Sequence, residues 1–419
     1  MACQRDYSAH MMQNTEHRTR NSEKSLYQNS CYIFLSSTLN AFIGFIFWAL
    51  AATLYDPATV GITTSIISLI GLLIIFSKLG FDYSLIRFFP QGNKAEMFST
   101  ALLITAGTIV SLGLIFVIFL TDFFPEYSLL CNNPLLFIGV LIVYSITTIS
   151  GVSFVAIKRS DCFLIQNLFT GLRIVFLFFF VGFGSLGILA SFGVSFMLAS
   201  MYSITKLVSF DIGITNISIP FLRNTLHFSF GNYLTDLLYQ SQNLALPIII
   251  IYLMDASSAA YYFIAYSIAS VLFMVPYAVS TSLLVEGSHG ENLKQKVFDA
   301  LFLIYPALLC IFLLTYLFGG KILGFIGSDY GAATELLHLI AASSFFSAIF
   351  FIYQSIKRVK KEMLSSILLN GLALVILIVF CTILTPIYGI TGIGYAWLLS
   401  SIIICIIASM LLMYEMSSP

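Results

Sequence analysis

Charge is what this sequence lacks. Of its 419 residues only 9% are Asp, Glu, Lys or Arg, where soluble domains carry about a quarter. The two signs cancel at 19 each, so no basic surplus points to nucleic acid, and none is expected as a partner. Cysteine is equally uninformative. Cys3, Cys31, Cys131, Cys162, Cys310, Cys381 and Cys405 form no CxxC pair and no metal-ligand spacing, and read as packing residues in apolar settings. No metal or other cofactor is expected. Catalytic signatures are missing too: no Walker lysine loop, HExxH, GxSxG or pair of outer-loop carboxylates occurs. Hydrolysis of ATP within the chain is thereby excluded, and a non-enzyme is expected. Residues 1–26 are polar and hold no h-region, so no cleaved signal peptide is expected and the first span inserts by itself.

What is abundant is apolar: 59% of the chain. The runs are about 20 residues long and rich in Gly, Ser and Thr, which suits closely packed helices. Barrel strands would alternate over roughly 10 residues. The fold class is therefore an all-α polytopic membrane protein. Twelve spans are expected, at 28–54, 60–79, 98–120, 135–157, 162–182, 188–208, 225–253, 259–283, 297–318, 335–356, 364–384 and 391–414. No connection between them is long enough to fold as a domain.

Lysine and arginine orient the bundle, because short loops rich in them stay cytoplasmic. With the N-terminus inside, Arg5, Arg18, Arg20, Lys24, Lys78, Arg87, Lys94, Lys158, Arg159, Lys206, Arg223, Lys294, Lys296, Lys357, Arg358, Lys360 and Lys361 all fall on the inner side. Outer loops hold only Lys321, beside Asp56, Asp122, Glu126, Asp255 and Asp329. Both termini are expected in the cytoplasm, and the protein in the cell (plasma) membrane. The asymmetry also discounts Asn216-Ile217-Ser218 as a glycosylation acceptor, since it falls inside.

An internal repeat divides the spans. LYDPATVGITTSIISLIGLL from Leu54 matches LMDASSAAYYFIAYSIASVL from Leu253, with Asp56 falling on Asp255. Six helices per half leave both halves the same way up, related by an axis along the membrane normal. The expected order is a polar tail (1–26), an N-lobe (27–208), a linker (209–224) and a C-lobe (225–419), with a cleft between lobes.

One cation escapes the loops. Cys162 to Gly182 is an apolar run of spanning length with Arg173 inside it. At about 1.5 Å per helical residue, Arg173 lies roughly 16 Å from the start of that run. That is near the midplane of a hydrocarbon core about 30 Å thick, and a charge there faces a bundle interior or a wet cavity. Two readings stand: a structural ion pair with Asp236, at matching depth in span 7, or an anion site for phosphate. Gln166 and Thr170 share its helix face. Span 7 carries Ser229, Asn232, Asp236, Gln240 and Asn243 at intervals of three or four, one stripe on one face. Lipid cannot satisfy such groups. Their bland reading is interhelical glue; the functional one is a cleft wall, opposite a weaker stripe of Asn29, Ser36 and Asn40 in span 1. His227 and His338 read as packed hydrogen-bonding residues. Pro247, Pro276 and Pro306 are expected to kink their helices. The cluster Lys357, Arg358, Lys360 and Lys361 reads as a topology determinant beside anionic headgroups.

The segment GFDYSLIRFFP at 80–90 resembles the polysaccharide-export flippases, in the superfamily that also holds multidrug-and-toxin extruders and lipid II flippases. The resemblance extends back through FWALAATLYDPATVGITTSIISL. It returns at Tyr330-Gly331-Ala332-Ala333, running into LLHLIAASSFFSAIFFIYQSIKRVKKE, and at YGITGIGYAWLLS from Tyr388. It implies a V-shaped bundle of two six-helix lobes that moves oligosaccharides linked to a polyprenyl (pyro)phosphate from the inner to the outer leaflet, through a positively charged cavity. Arg173 is the local candidate for that charge. The chain departs from the strongest examples in offering one mid-membrane arginine and one aspartate.

The expected function is an alternating-access flippase for lipid-linked oligosaccharide, used in surface polysaccharide biosynthesis. Arg87, Lys158 and Arg159 would admit the anionic head at the cytoplasmic rim. Arg173, Asn40, Ser36, Gln166, Thr170, Asn232, Asp236, Gln240 and Asn243 would line the cleft, with Asp236 as the site of a coupling proton or sodium ion. A monomer is expected. Two rivals remain: a cation-coupled multidrug extruder with Asp236 as its switch, and a membrane enzyme acting on lipid-linked sugars.

Overall fold

The computed structural model describes residues 29, 31–120, 127–288, 293–360 and 362–417. The tail 1–26, with Cys3, Arg5, Arg18, Arg20 and Lys24, lies outside the described residues, as do Asp122, Glu126 and Lys361 and the side chains of Cys131, His227 and Lys294. The described residues are helical apart from short connections, with no strand among them.

The N-lobe comprises α1 (Cys31–Leu54), α2 (Pro57–Lys78), the short α3 (Phe81–Phe88), α4 (Lys94–Ile115), the single turn α5 (Ser128–Asn132), α6 (Pro134–Ala156), α7 (Ser160–Gly171), α8 (Arg173–Phe179) and α9 (Gly184–Val208). The C-lobe comprises α10 (Ile219–Leu253), α11 (Ala256–Ser288), α12 (Leu293–Ile326), α13 (Thr334–Lys360), α14 (Met363–Tyr388) and α15 (Ile390–Ser417). Eleven stretches among the described residues are long and apolar enough to span a membrane. The twelfth span, α10, has ample length at 35 residues but is too polar to qualify on hydropathy, for a reason that the site makes plain.

Two sequence expectations need adjusting. The fifth span is interrupted: at Leu172, between α7 and α8, the backbone stays in the right-handed helical region but its N–H bonds three residues back, to the Phe169 carbonyl at 3.1 Å. Two neighbours explain the break. The Thr170 hydroxyl bonds back to the Asn167 carbonyl at 2.8 Å, a habit that bends helices, and Gly171 lets Ile43 of α1 lie against its backbone. Second, α10 begins at Ile219, so the connection between lobes is 209–218 rather than 209–224. It is clasped to α4: the Thr215 N–H donates to the Ser99 hydroxyl (2.6 Å) and the Ser218 N–H to that of Thr100 (2.7 Å). Pro247, Pro276 and Pro306, read as kink sites, each lie inside a single helix.

The repeat is visible as a shared capping device. The Asp56 carboxylate accepts the Thr59 N–H at 2.9 Å, and the Asp255 carboxylate accepts the Ser258 N–H at 2.7 Å, so each starts its lobe's second span.

The lobes share their broadest core at one end. Alternation of the spans puts Lys78, Arg87, Lys158, Arg159, Lys357, Arg358 and Lys360 at one end of the bundle, the basic end, and Asp56, Asp255 and Asp329 at the other. At the acidic end Phe47, Trp48, Ala51, Ala52 and Val60 of the N-lobe are buried in one cluster with Leu246, Ala260, Tyr262 and Ala265 of the C-lobe. Trp48 meets Phe263 edge-on at 4.8 Å. Here α2 crosses α11 so closely that a methyl on Gly61 would come within 2.5 Å of the Ala256 carbonyl carbon. Toward the basic end the C-lobe has its own core, Leu272 to Leu412, while the N-lobe core from Phe81 to Leu207 also takes in Phe221 of α10, whose ring lies 5.9 Å from that of Phe81. The result is a V closed at the acidic end.

Candidate functional site between the arms of the V

One seam joins the arms at the basic end. The Ser84 and Ser229 hydroxyls are 2.6 Å apart, the Tyr233 hydroxyl donates to the Phe76 carbonyl at 3.1 Å, and the Tyr83 hydroxyl donates to the Asp236 carboxylate. This line runs from α2 and α3 to α10. Among the described residues nothing comparable links α1 to α11 there. The basic half of α1 is buried along a narrow stripe through Ser36, Ile43 and Phe47, while Ser37, Thr38 and Asn40 stay exposed. On α11, Met274, Tyr277 and Thr281 are exposed as well. The cleft therefore has a closed side at α2/α10 and an open side at α1/α11.

Its principal cavity measures about 500 Å³ and is carved from the C-lobe. α10 supplies Asp236, Tyr239, Gln240 and Asn243; α11 supplies Tyr266, Ser270 and Tyr277; α13 supplies Gln354, Ser355 and Arg358; Tyr83 reaches in from α3. This accounts for the polarity of α10. Asp236, Gln240 and Asn243 of its stripe border this open space, where polar groups can be hydrated, rather than lipid. Behind this space, deeper in the C-lobe, lies a smaller chamber of about 40 Å³ bordered by Gln242, Asn243, Tyr266 and Ser400.

The partner of Asp236 is Arg358, at 3.4 Å, with Tyr83 on its other oxygen. The expected pair with Arg173 does not form. Similar depth was a poor guide, because α8 packs on α9 inside the N-lobe while Asp236 faces away from it across the cleft. Arg173 is 8% exposed, and no carboxylate lies within 4 Å of it among the described residues. Its guanidinium sits 5.3 Å from the Phe47 ring and 5.7 Å from the Phe192 ring, and its Nε–H has no partner among the described residues. Gly44 makes room for it: a methyl there would stand 3.5 Å from an Arg173 terminal nitrogen. A buried arginine on aromatic faces is held by cation–π attraction.

The remaining sequence candidates divide by lobe. Asp236, Gln240 and Asn243 line the cavity, and Asn232 does not. Asn40 is exposed on the open side. Ser36, Gln166 and Thr170 are buried within the N-lobe, where the Gln166 amide donates to the Thr147 carbonyl at 2.7 Å. At the basic rim Arg87 lies over the Phe228 ring at 4.0 Å and Lys158 is exposed at a left-handed turn. Arg159 grips Asp161 through two bonds of 2.9 and 2.8 Å. His338 packs 4.5 Å from the Tyr316 ring.

Sequence reasoning missed Tyr83, Tyr239, Tyr266, Tyr277, Gln354 and Arg358. Arg358 was read only as a topology residue, and Tyr83 as part of a family-like segment. The tyrosines carry no period that separates a cavity wall from core.

Comparison with known proteins agrees with this geometry. No curated protein matches the chain. Among solved structures, the inward-facing conformation of a multidrug resistance MATE family transporter of the MOP superfamily aligns with a TM-score of 0.76. It is 14% identical, and the alignment covers 91% of this chain and 96% of that one. The lipid II flippase MurJ in an inward closed conformation aligns at 0.66, with 16% identity over 92% of this chain and 87% of that one. A MOP superfamily transporter from Pyrococcus furiosus, described as having a binding pocket of reverse polarity, aligns at 0.61 with 14% identity, over 94% and 96%. At such identities the likeness establishes the fold, that of the MOP transporters and flippases. A family profile described as Polysaccharide biosynthesis protein matches residues 26–285, more than half of the sequence, and the chain belongs to that family.

Proposed function

We propose that the protein flips a polyprenyl-(pyro)phosphate-linked oligosaccharide from the cytoplasmic to the outer leaflet by alternating access, for surface polysaccharide biosynthesis. The observation that carries this reading is the lining of the C-lobe cavity. Tyr239 and Tyr277 offer aromatic surface for sugar rings, and Gln240, Asn243 and Gln354 offer amides for sugar hydroxyls. Arg358, at the cavity's basic end, supplies a planar fork suited to phosphate. The basic end faces the cytoplasm, and both termini lie there. The open side between α1 and α11 lets the isoprenoid tail stay in the bilayer while the head enters. Arg87 and Lys158 raise the local concentration of anionic headgroups at the rim.

In this cycle Arg358 takes the place first expected of Arg173. A phosphate arriving at Arg358 competes with Asp236, and Asp236 released from Arg358 becomes the place for a coupling proton or sodium ion. The seam from Tyr83 to Asp236 then loosens, and the lobes rock about the acidic end. A single chain forms the whole cavity, so a monomer suffices.

The test is a strain lacking the gene, in which polyprenyl-linked oligosaccharide is extracted and compared after rescue by wild type and by Arg358→Ala at matched membrane abundance. Carrier-linked sugar that accumulates, and is cleared by wild type but not by Arg358→Ala, is the expected result. No accumulation, with new sensitivity to cationic compounds, would replace this reading with a cation-coupled multidrug extruder.

A further inference from the structure

The chamber of about 40 Å³ behind the cleft has two kinds of wall. One is apolar, made by Phe350, Leu377 and Ile404 with the Trp397 ring, which stacks on Tyr266 at 5.7 Å. The other is polar, made by Gln242 and Asn243 of α10 and Ser400 and Ser401 of α15. The chamber is only partly enclosed, and Tyr239, Asn243 and Phe351 border it and the cleft alike. Asn243 lies roughly 10 Å beyond Asp236 along α10, at about 1.5 Å per residue. The chamber is therefore deeper in the protein than the Asp236–Arg358 pair, on the side away from the basic end.

These walls fit a small group with one apolar and one polar end. The volume is about three times the 10–15 Å³ that a single water needs, which is room for about three heavy atoms. Gln242 is 8% exposed, and its amide nitrogen has no partner among the described residues. Turning about its last side-chain bond, that amide offers either a donor or an acceptor to an occupant. The serines nearby already donate: the Ser400 hydroxyl to the Ala373 carbonyl at 3.4 Å, and the Ser347 hydroxyl to the Ser343 carbonyl at 3.1 Å. A free donor is thus best met by a carbonyl oxygen on the occupant. An acetyl group supplies that oxygen, and its methyl suits the apolar wall. A lone hydroxyl is too small to fill the space, and a carboxylate would meet no cation among the residues that border it.

We infer that this chamber receives an N-acetyl group, so that the sugar next to the pyrophosphate of the cargo is an acetamido sugar. The inference rests on the flippase function proposed above and names its substrate more closely. With the phosphate on Arg358, the acetyl carbonyl accepts from the Gln242 amide and the methyl packs on Leu377 and Trp397. The sugar ring stays at the mouth, between Tyr239 and Asn243. A hydroxyl in place of the acetamido group leaves the amide unpartnered and the apolar wall unfilled, and that loss is the basis of selection.

Equilibrium binding to the full chain in detergent tests the inference. The probes are a polyprenyl pyrophosphate bearing one N-acetylglucosamine, the same carrier bearing one glucose, and the bare carrier. Wild type is expected to bind the acetamido form about tenfold more tightly than the glucosyl form. Gln242→Leu removes the amide, and Ala373→Leu adds an isopropyl group to the chamber wall. Each is expected to erase the preference, with a cooperative melt in detergent retained. Glycosylated carriers bound no better than the bare carrier would remove the flippase reading and this inference with it. Glycosylated carriers that bind better than the bare one but equally to each other, or a preference that both folded variants keep, would overturn the inference alone.

Discussion

Gly61→Ala is the sharpest probe of the V. Gly61 sits where α2 crosses the first turn of α11, and an added methyl would lie 2.5 Å from the Ala256 carbonyl carbon and 3.2 Å from its Cα. Ordinary contacts begin near 3.4 Å, and both neighbours are backbone, so no side chain can swing aside. The Ala256 carbonyl oxygen is nearer still, so the helices must part by more than about 1 Å, which strips contacts from the whole acidic-end cluster around Phe47, Trp48 and Tyr262. Overpacking of this kind costs about 1–3 kcal/mol. Only the state closed at the acidic end bears that cost, so the equilibrium between closed and open arms shifts by about 5- to 150-fold. Spin labels at Phe183→Cys and Phe325→Cys, exposed acidic-end positions on opposite lobes, would read the shift in a background without the native cysteines. Pulsed dipolar spectroscopy is expected to show a longer distance gaining population in Gly61→Ala. An unchanged distance distribution in a folded variant would refute the reasoning, because this crossing would then not be the closed end of a moving V.

Other substitutions address single contacts. Tyr83→Phe removes the hydroxyl that crosses the seam to Asp236, a bond to a charged group contributing about 1.5–3 kcal/mol; labels at the basic ends of α3 and α10 should separate more often, and an unaltered population would count against a latch. Arg173→Met keeps the packing on Phe47 and Phe192 and removes a buried charge that no carboxylate balances. Melting in detergent should hold or rise with clearance of carrier-linked sugar retained, while lost clearance at normal abundance would return Arg173 to the cargo path. Gly44→Val crowds the Arg173 guanidinium and should lower the melting temperature of wild type more than that of Arg173→Met; equal losses would show that the two do not touch. Asp56→Ala removes a cap contributing about 1 kcal/mol. The Thr59 N–H and hydroxyl hold the Asp56 carboxyl below its ordinary range, so the cap is present at neutral pH and is lost as pH falls through that lowered value. The melting difference from wild type should therefore shrink in strong acid, and a difference constant down to pH 2 would contradict it.

Much of the architecture was legible in the chain. Apolar runs of spanning length, lysine and arginine at alternate loops, and the paired Asp56 and Asp255 fix twelve spans in two repeated lobes, because each is a local consequence of lipid or of capping. The α10 stripe was legible as well, since polar groups in a membrane must meet water or protein. The break at Leu172 was not, for it depends on Ile43 of α1 pressing against Gly171.

The sequence by itself determined that this protein crosses the membrane twelve times, which end is basic, and that one face of α10 borders a cleft. Tertiary structure alone decided that Asp236 meets Arg358 and Tyr83, that Arg173 is enclosed by aromatic rings in the N-lobe, and that the cavity wall is C-lobe tyrosine and amide. Hydropathy and charge act residue by residue against the bilayer and can be read along the chain. The partner of a polar group is set by how helices rotate and cross, and those angles follow from the packing of many side chains at once.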